Sequence, residues 1–195
     1  MTLLWILNGL IVLCMTGIMI RCYRKDGAWN RQAGRSSLRF FTTLSNLLCA
    51  VASLLLLAAL PGGGPPRWVW LLRYIGTAAV TVTFLTVMVF LGPTLGYKGQ
   101  LGSREAVYLH VIEPLASVFS FCFLERFYPL PFGTALLGLL PVLLYGTLYL
   151  YEVVRVQRWE DFYSFNRDGK WPISFGGMVL GAFLICLLLR LLYTL

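Results

Sequence analysis

Six apolar runs of about twenty residues, separated by short polar stretches, leave this chain few ways to fold. Each is long enough, at about 1.5 Å per residue, to cross a hydrocarbon core of about 30 Å as a helix. None shows the strict apolar and polar alternation of a barrel strand. Apolar residues make up 58% of the 195 residues and charged ones only 12%, a balance far too greasy for a soluble domain of this length. The expected fold is all-α: one domain over residues 1–195, a polytopic membrane bundle with spans at approximately 2–20, 38–60, 68–91, 104–127, 134–151 and 172–193.

Helix-breaking residues set several of those limits. PGGGPP follows the second run, Gly92 and Pro93 the third, and YPLPFG the fourth. The first run, Thr2 to Ile20, is apolar except for Asn8 and Thr16, and its positive charges follow it, the reverse of a cleaved leader.

Charge then orients the bundle. The loops after spans one, three and five carry six, two and four Lys/Arg, twelve of the sixteen, and Asp26 is the lone acid in the first of them. Short cytoplasmic loops collect such residues, so both termini are expected outside. The formal charge of +8 therefore points to anionic head groups and not to nucleic acid. The short loops and the lack of any Asn-x-Ser/Thr sequence fit a bacterial plasma membrane. The cysteines Cys14, Cys22, Cys49, Cys122 and Cys186 have no metal or redox spacing and read as small buried hydrophobes.

Two stretches break the apolar pattern. LRFFTTLSN, at Leu38 to Asn46, puts Thr42, Thr43, Ser45 and Asn46 where a plain lipid-facing helix would carry leucine, with Thr42, Ser45 and Asn46 on one face. LHVIEP, at Leu109 to Pro114, holds the only histidine, His110, one helical turn from Glu113. Thr42 and His110 are expected roughly 6 to 9 Å beneath the same cytoplasmic surface, close enough to meet. Both also lie near helix starts, where free amides and the positive dipole end welcome an anion. Arg39, Glu152 and Asp161 are expected to approach from the loop side.

Ionisable side chains inside spans are functional candidates, because placing one there costs at least about 2.5 to 3.5 kcal/mol. The plainer reading is that Thr42, Thr43, Ser45 and Asn46 serve as interhelical hydrogen bonds and that Glu113 pairs with Arg39 or Arg104. Thr77, Thr81, Thr83 and Thr86 read as packing residues, and Asn8 has no assignment. The aromatic stretch Trp159 to Trp171 reads as an interfacial anchor, with a lid as the alternative.

These motifs, FFTTLSN opening a second span and a lone histidine with a following proline at the head of a fourth, resemble a bacterial six-span membrane family. More distantly they are similar to the androgen-inducible membrane hydrolases of fatty-acid esters of hydroxy fatty acids. That resemblance implies a threonine nucleophile and a histidine base, falling on Thr42 and His110. Where the hydrolases carry an acid after the threonine turn this chain has Ser45, and where they are richer in histidine it has His110 beside Glu113.

The expected function is thus an intramembrane lipid ester hydrolase or acyl-transfer enzyme. His110 would activate Thr42, Glu113 would orient the imidazole, and the helix-start amides with Arg39 would hold the oxyanion. Membrane lipids are the expected partners, an acyl chain entering from the lipid is the expected substrate group, and the oligomeric state is open. A zinc centre on His110, Glu113 and Asp161 lacks the usual ligand set, so no metal or cofactor is expected. A lipid-binding or small-solute transport protein, or a non-catalytic partner subunit with its polar layer packed shut, is the competing reading.

Overall fold

A computed structural model describes residues 1–25 and 27–195; Asp26 lies outside the described residues. Among the described residues six helices are long and apolar enough to span a membrane: α1 (Thr2–Cys22), α3 (Phe41–Gly62), α4 (Arg67–Leu95), α6 (Arg104–Leu124), α7 (Phe132–Arg155) and α8 (Trp171–Thr194). Two short helices, α2 (Arg31–Ser37) and α5 (Tyr97–Leu101), fill connections at one end. A two-residue ribbon pairs β1 (Arg24–Lys25) with β2 (Ala28–Trp29) between α1 and α2.

The bundle is built around α4, whose apolar window is 61% buried against 28% for α1 and 22% for α8. Small residues explain its central place. A Cβ on Gly76 would lie 2.9 Å from the Cα of Cys49, so α3 and α4 touch backbone to backbone there. Gly76→Val should therefore destabilise the protein by about 1 to 3 kcal/mol, read by thermal unfolding in detergent. Gly9→Ala, which enters open space, should change little.

Outward faces are apolar. Leu13, Val89 and Leu144 are each 70% exposed or more, which suits hydrocarbon and would be an aggregation surface in water. This is the architecture of an integral membrane protein.

Three of the prolines in the spans, Pro93, Pro114 and Pro141, are each preceded by a turn that departs from the α geometry. A π turn (Thr86–Leu91) precedes Gly92–Pro93, with the Gly92 amide bonded to Val87 five residues back. Another (Tyr108–Ile112) precedes Glu113–Pro114, with the Glu113 amide bonded to Tyr108. A 3₁₀ turn (Leu136–Leu139) precedes Leu140–Pro141. A proline ring clashes with the carbonyl four residues back, and a locally rewound turn removes that carbonyl from its path. The third span accordingly continues through Gly92 and Pro93 to Leu95 and does not stop at residue 91. The second begins at Phe41, three residues later than the sequence suggests, because Leu38 to Phe40 form a turn.

Candidate functional site

Thr42 is the second residue of α3, and its hydroxyl oxygen lies 3.4 Å from Nε2 of His110 on α6. Both side chains are part-buried. Nδ1 of His110 lies 2.7 Å from the carbonyl oxygen of Gln100, at the end of α5. A carbonyl can only accept, so Nδ1 donates, and in the neutral ring Nε2 is left as an acceptor aimed at the threonine hydroxyl. The distance is long for a hydrogen bond and within the range seen before substrate tightens a catalytic pair.

The backbone of Thr42 is held from two sides. Its carbonyl accepts from Ser45 Oγ at 3.1 Å and from Asn46 Nδ2 at 2.7 Å. Ser45 Oγ also lies 2.9 Å from the Thr83 hydroxyl on α4, so one short polar chain ties the start of α3 to the central helix. The first helical amide, that of Phe41, donates to the phenol oxygen of Tyr163 at 2.9 Å. Burial holds that phenol above its usual titration range, so it remains a neutral hydroxyl at neutral pH. The Thr42 amide also faces the Tyr163 phenol, and the Thr43 amide has no acceptor among the described residues, which leaves one donor beside the hydroxyl.

A pocket of about 290 Å³ opens onto this pair, bounded by Phe40, Thr43, Leu91, Gln100, Phe162 and Tyr163. Phe162 and Tyr163 come from the irregular segment between α7 and α8, which folds back over the ends of α3 and α7 through packed aromatics. Asp161 anchors that segment. Its carboxylate accepts from the Tyr149 hydroxyl at 2.8 Å and from the amides of Phe165 and Asn166 at 2.9 and 2.8 Å.

The other expected participants lie elsewhere. Glu113 is fully buried, neither of its oxygens has a hydrogen-bond partner, and Arg73, Tyr108 and Cys49 are the groups that face it. The π turn is the reason: residues 110 and 113 do not close one helical turn there, so the carboxylate points into the bundle while the imidazole points to its rim. The Gln100 carbonyl occupies the orienting position instead. Arg39 is exposed and is engaged through its backbone: its carbonyl accepts from the Tyr145 hydroxyl at 2.5 Å and its amide donates to the Ser36 carbonyl at 3.3 Å. Glu152 pairs with Arg158. Among the described residues no group of three or more His, Cys, Asp or Glu is placed to hold a metal.

Sequence reasoning missed a second polar centre. Arg73 of α4, fully buried, lies 3.3 Å from the Glu125 carboxylate and donates to Asn8 at 3.1 Å and to Thr77 and Ser117 at 2.7 Å each. Asn8 in turn donates to Glu125 at 3.0 Å and to Ser120 at 3.1 Å. The signal was an arginine five residues after the start of an apolar run at Trp68, which in hydrocarbon requires an acidic partner. Compared with protein-family models, curated proteins and solved structures, the chain matches none of them.

Proposed function

We propose that the protein is an intramembrane hydrolase or acyl transferase of lipid esters, with Thr42 as nucleophile and His110 as base. The observation that carries this reading is the His110 ring held by Gln100 with its free nitrogen turned to the Thr42 hydroxyl, inside a pocket. A threonine hydroxyl is a weak nucleophile until a base stands within reach, so the pair matters more than either residue.

In the first half-reaction the Thr42 oxygen attacks the ester carbonyl as Nε2 takes the hydroxyl proton. The carbonyl oxygen becomes an oxyanion, and the unpaired Thr43 amide is the donor that the start of α3 offers it. Collapse expels the alcohol, which leaves with the proton returned by His110, and the acyl group stays on Thr42. Water, or an acceptor alcohol, then attacks the acyl-threonine with His110 again as base, and the acid or a new ester departs.

The basic ends of the bundle support a cytoplasmic placement of the pocket, with both termini outside, in a bacterial plasma membrane. Labelling of the purified protein with a fluorophosphonate probe tests the chemistry. Thr42→Ala should abolish labelling and His110→Ala should reduce it strongly. Equal labelling of both variants and the native chain would reject the assignment.

A further inference from the structure

The Thr42 pocket has an apolar back door. A groove of about 490 Å³ runs between α4 and α8, walled by Leu85, Val89 and Phe90 on one side and by Gly177, Gly181 and Leu188 on the other. At its inner wall Val82, Thr86, Phe165 and Met178 also bound a narrow passage of about 30 Å³. At the other end of that passage Thr42, Leu91 and Tyr163 are shared with the His110 pocket. The three cavities therefore adjoin in series, from the chamber at Thr42 and His110 to the lipid-facing flank of the bundle.

We propose that this groove seats the acyl chain of the ester presented to Thr42, and that Gly177 and Gly181 set how long a chain it takes. This rests on the hydrolase reading above and adds the route and the residues that measure the chain.

Dimensions favour a single hydrocarbon chain. Along α8 the groove runs from Ile173 to Leu188, about 22 Å at 1.5 Å per residue. That exceeds the depth of one leaflet, about 15 Å of a 30 Å core, so a lipid of the leaflet nearest the pocket can lay its whole chain there. Spread over that length, the volume describes a long shallow slot and not a rounded cavity. Gly177 and Gly181 also have the four-residue spacing on which membrane helices pack, so a helix of a second copy is the rival occupant that the test below separates from an acyl chain. The glycines keep it open: a Cβ on Gly177 or Gly181 would find no atom within 4 Å.

Met178 stands where groove and passage meet, and its unbranched thioether can swing aside to admit the chain.

The test uses the full chain in lipid nanodiscs, with p-nitrophenyl butyrate and p-nitrophenyl palmitate as short and long esters and a diazirine-tailed palmitic acid as photoprobe. Gly181→Leu should lower the ratio of long- to short-chain turnover by about 10- to 200-fold. Met178→Ala should raise that ratio. The photoprobe should attach to α4 or α8 residues bordering the groove, and Gly181→Leu should prevent it.

An unchanged ratio in Gly181→Leu, or attachment elsewhere, overturns the groove while leaving Thr42 chemistry intact. Efficient disulfide pairing between copies of Gly181→Cys would also overturn it, by assigning the face to a dimer. If the native protein hydrolyses neither ester yet the probe attaches along the groove, the hydrolase reading fails and the chain-binding site stands as a lipid site alone.

Discussion

Arg73→Leu should lose about 3 to 5 kcal/mol of stability, the largest effect of any single substitution outside the pocket. The guanidinium is fully enclosed and ties α1, α4 and α6 together through Asn8, Thr77, Ser117 and Glu125. Without it, the carboxylate of Glu125 is left with Asn8 and Ser120 as its donors and no counter-charge, at a depth where water cannot replace it. The cost arises from that stranded charge more than from the lost attraction. Arg73→Leu combined with Glu125→Leu should consequently recover much of the loss, a non-additivity that reports direct coupling. Unfolding in mixed detergent micelles measures all three proteins. A cost of half a kcal/mol or less in the single variant would mean that the pair is not buried as described.

The same cluster shows where sequence reading stops. Apolar runs, glycine and proline punctuation and loop charge are local properties, and they were enough to place six spans to within a few residues. The Arg73 network joins residues 52, 65 and 44 positions away along the chain, at Glu125, Asn8 and Ser117, so although the arginine is anomalous in its own run, no local pattern names its partners. The threonine and histidine were visible because each is anomalous in its own run. Their contact followed from assigning both helix starts to one face of the membrane. Glu113 was misplaced as an orienting group because a helix read at 3.6 residues per turn puts it beside His110, and the proline that follows rewinds that turn. Gln100 acts through its carbonyl, which every residue possesses, so no side-chain motif could have named it. The segment between α7 and α8 was legible only as aromatic; its anchor, Asp161, depends on two backbone amides four and five residues further on.

In the hydrolase reading, His110→Ala should depress ester turnover by about 100- to 10,000-fold, the span that a positioned general base contributes. The imidazole serves both half-reactions, first accepting the Thr42 proton and then activating the incoming water, so its loss falls on kcat. Thr42→Ala should cost as much, and the double variant should be no worse than either single one, since nucleophile and base act as a unit. Thr42→Ser keeps the hydroxyl and should retain activity, which separates chemistry from packing. A merely structural role would behave differently: Thr42→Ala would then alter unfolding and leave kcat in the residual folded protein unchanged. His110→Gln sharpens the comparison, because an amide can preserve the contact to the Gln100 carbonyl while offering no base of comparable strength to the hydroxyl. Native-like stability with collapsed kcat in that variant marks the imidazole as the proton acceptor, and unchanged kcat removes His110 from the mechanism.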